Sequence, residues 1–167
     1  NADNVANIYA DLLIDELDGE AARHARKLKD GIRKSIEITA NVATIRKIHE
    51  SRAGLAPVNL DAVIRNEIEH FPDLCIRYDG LPVEVFADDL LPQIFTNLIG
   101  NTAKHGGPGV RVAVTVEGLD EGAVVVTVAD TGPGIPDAMK GAILYRFERE
   151  NGRRGSQGLG LSICRML

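Results

Sequence analysis

The chain has 167 residues, of which 44% are hydrophobic and 26% charged, and its formal net charge is -5. These values are typical of a soluble globular protein with room for one ordinary domain and an extension. The acidic balance argues against a nucleic-acid partner, and no apolar run reaches the ~20 residues of a membrane span. We therefore expect a cytoplasmic fragment without membrane contact of its own, whose full-length parent could be membrane-anchored.

The first part of the chain, residues 1 to about 52, contains no proline and has apolar residues at helical spacing. Asp18-Gly19 separates two apolar stripes and predicts a tight turn between a short helix and a helix of about 30 residues. A long helix with a narrow apolar seam cannot bury that seam alone. We predict that this antiparallel hairpin pairs with a second copy as a dimeric four-helix bundle. The alternative is a hairpin packed on its own domain. The stripes comprise Val5, Ile8, Leu12 and Leu13, then Leu28, Ile32, Ile36, Val42, Ile45 and Ile48.

Gly54-Leu-Ala-Pro57 predicts a linker, so we expect one domain over residues 1–53 and a second over 57–167. In the second domain, helical patterns alternate with short β-branched runs. This order predicts an α+β fold in which helices cover a mixed, largely antiparallel sheet, as a two-layer α/β sandwich. Cys75 and Cys164 lack zinc-ligand spacing and are expected to be buried. Helices are predicted over 60–69 and 88–105, and strands over 74–78, 83–86, 110–116 and 123–129.

The helix over 88–105 carries an unusual polar stripe formed by Gln93, Asn97, Asn101 and Lys104 or His105. Asparagine is a poorer helix former than Glu, Lys or Gln, by roughly 0.3–0.6 kcal/mol. Its amide oxygen suits Mg²⁺, however, and its amide nitrogen can donate to a phosphate. The stripe is therefore either a ligand-binding face or a polar face with two incidental asparagines.

The Asp130 loop, Asp130-Thr-Gly-Pro-Gly-Ile-Pro136, follows the last predicted strand. A carboxylate at a strand end can accept a hydrogen bond from an exocyclic amine such as that of adenine. Gly132 and Gly134 would let the backbone approach a flat ring and adopt positive φ. An Asx turn is the simpler alternative. Asp-Thr-Gly is also the aspartic-protease triplet, but those proteins are almost all β and pair two triplets.

A second glycine loop, with Gly155, Gly158 and Gly160, precedes the start of a helix at Leu161. Glycine-loop N–H groups and a helix N-terminus together can cradle an anion, although the spacing is not that of a Walker loop. The preceding segment, 149–154, lacks apolar periodicity and is expected to be a mobile flap. Its Arg153 and Arg154 are either available to outer phosphates or simply solvated.

Together these motifs resemble the ATP-binding domain of sensor histidine kinases, within the Bergerat-fold ATPases that include DNA gyrase, Hsp90 and MutL. Four segments resemble, in family order, the N, G1, F and G2 boxes: Asn97–His105, Asp130–Pro136, Ile143–Phe147 and Gly158–Ser162. The resemblance implies a Bergerat-type sandwich that binds ATP and Mg²⁺. Residues 1–53 resemble the dimerisation and phosphotransfer hairpin of the same kinases.

The resemblance also implies roles for individual residues. Asn101 would hold Mg²⁺ and, with Lys104, act in catalysis at the phosphates, which Asn97 would also contact. Asp130 would receive the adenine amine, and Phe147 would brace the lid. The remaining nucleotide-binding residues would be His105 beside the nucleotide, Gly132, Gly134 and Ile135 at the base, and Arg153, Gly158, Leu159 and Gly160 at the phosphates.

The implied activity is ATP-dependent autophosphorylation of a histidine, followed by transfer to an aspartate of a response regulator receiver domain. The family's first helix carries the acceptor histidine, whereas the first helix here has none, so we expect the acceptor just upstream of Asn1. His24 is a minor candidate. Family members also add strands after the helix in which Leu167 lies, so we expect a truncated C-terminal end.

Two alternatives belong to other classes. One is a degenerate Bergerat module that serves as a dimeric scaffold. The other is a hydrolytic ATPase, but those families place a carboxylate just ahead of the N-box asparagine, and Gln93-Ile-Phe-Thr96 contains none.

Overall fold

A computed structural model describes residues 2–50, 54–143 and 159–167. The chain divides into two compact units, Asn1–Lys47 and Ile48–Leu167. Within the described ranges, no helix combines the length and the apolarity needed to cross a membrane.

The first unit is a helical hairpin. Helix α1 (Ala2–Glu16) and helix α2 (Gly19–Glu50) are joined at Leu17 and Asp18, which confirms the predicted short helix, turn and long helix. Lys29 forms an ion pair with Asp11 across the two helices. The buried apolar residues of this unit are small, namely Ala10, Ala22 and Ala25. Many of the larger apolar side chains of the hairpin are exposed, whereas those of Ile32, Ile36, Ile45 and Ile48 are half-buried. The exposed ones are Val5, Ile8, Tyr9, Leu12, Leu13, Leu28, Ile38 and Val42.

The second unit interleaves helices with five strands. Asn59 caps helix α3, because its side chain accepts a hydrogen bond from the Ala62 N–H at 2.9 Å. In chain order the elements are β1 (Ala56–Asn59), α3 (Leu60–Glu69), β2 (Cys75–Asp79), β3 (Glu84–Ala87), α4 (Leu91–His105), β4 (Arg111–Gly118), β5 (Val124–Asp130), α5 (Asp137–Ile143) and α6 (Leu159–Met166), with a 3-10 turn at Asp120–Gly122.

The described strands form a three-stranded mixed sheet and a two-stranded antiparallel sheet. In the order β2-β4-β5, β2 runs parallel to β4 and β4 antiparallel to β5. The other sheet is the antiparallel pair of β1 and β3. The predicted linker was therefore partly wrong, because Ala56 and Pro57 belong to β1, opposite Ala87 and Phe86. A two-stranded sheet tolerates proline, which lacks the N–H a central strand needs.

A single core lies between the helices and the three-stranded sheet. Alternate residues of β4 are buried, as expected of a strand with one face on the core. This layer of helices over a sheet confirms the predicted α/β sandwich after a helical hairpin. The buried cluster consists of Leu60 and Ile64 from α3, Phe95 and Ile99 from α4, and Val112, Val114 and Val116 from β4. Cys75, by contrast, is exposed on β2, so its predicted burial was wrong.

A buried polar contact joins α3 to α4. Glu67 is only 6% exposed, and its Oε2 accepts a hydrogen bond from the Thr96 hydroxyl at 2.6 Å. His70 Nδ1 lies 3.5 Å from the same oxygen. Because Thr96 directly precedes Asn97, this contact helps to define where α4 presents its asparagines.

Candidate nucleotide-binding site

Helix α4 carries the asparagine stripe predicted from the sequence. It begins at Leu91 rather than at the predicted Asp88, because Asp88 Oδ1 accepts from the Leu90 N–H at 3.0 Å and forms a turn before the helix. Gln93 Nε2 donates to Asn97 Oδ1 at 3.4 Å, so two members of the stripe are in contact. Asn101 lies one turn further on and is partly buried.

The N-terminal end of α6 packs against Asn97. A Cβ placed on Gly160 would lie 3.3 Å from Asn97 Oδ1 and 3.4 Å from its Cγ. The Asn97 Nδ2 is buried and has no hydrogen-bond partner among the described residues. A buried amide donor without an acceptor is costly, so this geometry fits a ligand oxygen at this position.

Cys164 also faces this part of the site, which sequence reasoning missed. Its Sγ lies 3.7 Å from the Ile94 carbonyl oxygen. Burial raises the pKa of the thiol, and the neighbouring Asn97 side chain partly opposes that rise. A thiol is a weak acceptor, so it is a poor substitute for a ligand oxygen at the Asn97 amide.

The Asp130 carboxylate ends β5 and lies beside the last turns of α4. Its Oδ1 accepts from the Gly132 N–H at 2.7 Å, which is the Asx turn weighed from the sequence. Its Oδ2 accepts from the Thr102 hydroxyl at 3.4 Å. Sequence reasoning did not assign Thr102 to the site, and its position directly after Asn101 was the available signal.

The Asp130 loop is fixed to the sheet next to this carboxylate. The Thr131 N–H donates to the Arg111 carbonyl at 3.0 Å, and the Arg111 N–H donates to the Thr131 hydroxyl at 3.0 Å. Gly134 has a φ of +71°, as predicted for a glycine in this loop. Gly132 does not have a positive φ, so that part of the prediction was wrong. Ile135 is 43% exposed and presents an apolar surface beside the loop.

The structure describes only some of the remaining predicted site residues. Lys104 and His105 are exposed in the last turn of α4, and Leu159 is partly buried at the start of α6. Phe147, Arg153 and Gly158 lie outside the described residues. The structure thus brings Asn97 together with Gly160, and Asp130 together with the end of α4.

The side chains of α4 offer amide oxygens, rather than a cluster of carboxylates, to a magnesium ion. Among the described residues, no group of three His, Cys, Asp or Glu could hold a metal. Mg²⁺ is often bound by one or two protein oxygens, with water and substrate phosphates completing its shell. The amide oxygen of Asn101 fits that pattern.

Comparisons with known proteins agree with this geometry. Residues 87–167 match the family described as histidine kinase-, DNA gyrase B-, and HSP90-like ATPase. The chain is 33% identical over 113 residues to the signal transduction histidine-protein kinase/phosphatase MprB of Mycolicibacterium paratuberculosis, which is 65% of this chain and 22% of that protein. The fold and the site thus define an ATPase domain of the histidine kinase, gyrase and HSP90 class.

Solved structures identify the family within this class. A structure of a mycobacterial sensor histidine kinase, MprB, aligns with a TM-score of 0.58 and 32% identity, over 66% of this chain and 76% of that one. Full-length ShkA in complex with AMPPNP aligns with a TM-score of 0.65 and 26% identity, over 98% of this chain, hairpin included, and 37% of that one. The chain belongs to the sensor histidine kinases. It spans only about a fifth of the length of the curated relative named above.

Proposed function

We propose that this chain is the ATP-dependent core of a protein histidine kinase. In this proposal it binds ATP between α4, the Asp130 loop and the start of α6, and directs the terminal phosphoryl group to a histidine. The phosphoryl group then passes to an aspartate of a response regulator. The observation that carries the proposal is the buried Asn97 amide nitrogen, which has no hydrogen-bond partner among the described residues and whose side chain lies against Gly160.

The phosphates would be held at the Asn97 end of the site. The Asn97 Nδ2 would donate to a phosphate oxygen, and the absence of a side chain at Gly160 lets the start of α6 approach Asn97 closely. Lys104 would contribute positive charge near the phosphates. Asn101 would hold Mg²⁺, which when bound offsets the negative charge that phosphoryl transfer develops.

The base would be held at the Asp130 end. A carboxylate accepts hydrogen bonds and would receive the exocyclic amine of adenine. Gly132 and Gly134 would border the ring, with Ile135 as an apolar neighbour. Phosphoryl transfer depends mostly on positioning and charge stabilisation, so the two ends of the site would fix the nucleotide along α4.

The hairpin would form the dimer interface. Its exposed apolar side chains support pairing with a second copy as a four-helix bundle, because a monomer would leave them in water. In this arrangement the hairpin surface would present the acceptor imidazole, which attacks when its nitrogen is neutral. The receiver domain of the response regulator would be the second partner.

Nucleotide titration tests the proposal. We expect the chain to bind ATP in magnesium buffer, and Asn101→Asp and Asp130→Asn each to weaken binding by at least about tenfold. The first variant adds negative charge beside the phosphates, and the second removes the charge that receives the amine. Isothermal titration calorimetry gives the Kd for each protein.

Asn66→Asp is the matched control, because it adds the same charge at an exposed position on α3. Its Kd for ATP should equal that of the parent chain. Unchanged affinity in both site variants would refute the assigned site, and a parent chain that binds no ATP would favour a degenerate scaffold.

A further inference from the structure

The Asp130 carboxylate is held from two directions. One contact comes from the loop after β5, where the Gly132 N–H donates to Oδ1 at 2.7 Å. The other comes from the last turns of α4, where the Thr102 hydroxyl donates to Oδ2 at 3.4 Å across 28 residues of sequence. A carboxylate offers about four lone-pair sites, so both oxygens keep capacity for a ligand.

Thr102 links the end of β5 to α4. It is 5% exposed and directly follows Asn101. Thr39 and Thr44 in α2 show the local alternative, since each donates to the carbonyl four residues earlier in its own helix. The Thr102 hydroxyl instead reaches a different element, so its contact constrains the carboxylate relative to α4.

Gly132 lies close to both the Asp130 carboxylate and the end of α4. A Cβ on Gly132 would lie 2.7 Å from Asp130 Oδ1 and 3.0 Å from Gly106 Cα. Gly106 ends α4, and its N–H donates to the Thr102 carbonyl at 2.8 Å. The end of α4 therefore borders the carboxylate through both its backbone and the Thr102 side chain.

We propose that Thr102 is a positioning residue that orients the Asp130 carboxylate toward an exocyclic amine and so sets a preference for adenine. The inference rests on the proposed function, in which Asp130 receives the adenine amine. Inosine triphosphate carries a carbonyl where ATP carries that amine. A carbonyl and a carboxylate both only accept hydrogen bonds, so the two groups cannot bond to each other. A carboxylate oriented toward this position therefore discriminates against inosine triphosphate.

The test is the ratio of the Kd for inosine triphosphate to the Kd for ATP, measured by calorimetry on the whole chain in magnesium buffer. The chain should prefer ATP. Thr102→Val keeps the shape of the side chain and removes the hydroxyl. We expect it to raise the Kd for ATP by about three- to tenfold and to leave the Kd for inosine triphosphate within about twofold.

A second pair of variants distinguishes an effect on the orientation of the carboxylate from an effect on side-chain packing. Thr102→Ser and Thr102→Ala both lack the methyl group and differ by one oxygen. The serine variant should keep the preference for ATP, and the alanine variant should lose it. If the valine variant does not fold, this pair decides the outcome. Thr127→Val, on the exposed face of β5, should leave the ratio unchanged.

An unchanged ratio in Thr102→Ala, in a chain that binds ATP, overturns the inference and leaves the proposed function standing. An equal loss of affinity for both nucleotides overturns it as well, because that result indicates a purely structural role. A parent chain that binds neither nucleotide overturns the proposed function and this inference together.

Discussion

The clearest steric requirement at the residue scale is at Gly160. A methyl group there would meet Asn97 Oδ1 at 3.3 Å, closer than ordinary van der Waals contact, so the Asn97 amide would have to move by a few tenths of an ångström. Asn97 already has one neighbour on the other side, since Gln93 Nε2 donates to the same oxygen. The freedom of the amide to adjust is therefore limited.

Gly160→Ala should weaken ATP binding by about three- to tenfold, because the displaced Asn97 amide would donate less well to the phosphate. Stability should not fall, because alanine favours a helix over glycine by about 1 kcal/mol. Calorimetric titration and thermal unfolding measure the two effects separately.

Gly141→Ala is the control for this prediction, since a Cβ at Gly141 would meet nothing within 4 Å. Its ATP affinity should match that of the parent chain. Equal affinities for Gly160→Ala and Gly141→Ala would show that the start of α6 does not constrain the Asn97 amide.

At the scale of elements, the contact between α3 and α4 combines an apolar interface with one buried polar pair. Ile64 and Ile99 are fully buried between these helices and the sheet. Glu67 and Thr96 bond within the same interface at 2.6 Å. A buried carboxyl group deprived of its donor is costly, so the pair favours one placement of α4 over others.

Thr96→Val should lower the free energy of unfolding of the second unit by about 1–3 kcal/mol, because Glu67 would lose its hydroxyl donor. Thr96→Ser should retain most of the stability. Urea unfolding followed by circular dichroism measures the difference. Thr127→Val, on an exposed strand face, should stay within about 0.5 kcal/mol of the parent chain. A valine variant as stable as that control would contradict the role assigned to the pair.

At the scale of the whole molecule, the hairpin differs from the α/β unit in what it buries. The α/β unit encloses large apolar side chains such as Phe95 and Ile99. The hairpin buries alanines and leaves Ile8 60% exposed and Leu12 47% exposed. Exposed apolar side chains one turn apart on a helix are typical of an interface, and they are the physical basis for the proposed dimer.

Combining Ile8→Glu with Leu12→Glu should shift the protein from dimer to monomer, with the dimer dissociation constant raised at least about 100-fold. Four added charges per dimer would replace apolar side chains. Light scattering after size-exclusion chromatography gives the mass over a range of concentrations.

Arg26→Glu is the control for the hairpin, because Arg26 is exposed and lies two positions from Leu28, on a different helix face. It should remain dimeric. A parent chain that is monomeric at high concentration would contradict the proposed bundle without affecting the nucleotide site.

The sequence predicted much of this protein because the signals involved are local. Apolar spacing located α1 and α2, since 3.6-residue periodicity is a property of one helix. Asn97 and Asn101 were candidates because asparagine is unusual in the middle of a helix. Asp130 was a candidate because a carboxylate ends a predicted strand before a glycine loop. The strand β1 was missed, because Ala56 and Pro57 have linker-like composition and become a strand only by pairing with β3.

By itself, the sequence determined most of the elements, the four motifs and the family they belong to, because these depend on residues close together in the chain. Only the tertiary structure decided which of them meet. The contacts of Thr102 with Asp130 and of Glu67 with Thr96 join residues 28 and 29 positions apart. Such contacts depend on how helices pack on a sheet. That packing is set by the summed burial of many side chains, so it cannot be predicted from any one motif.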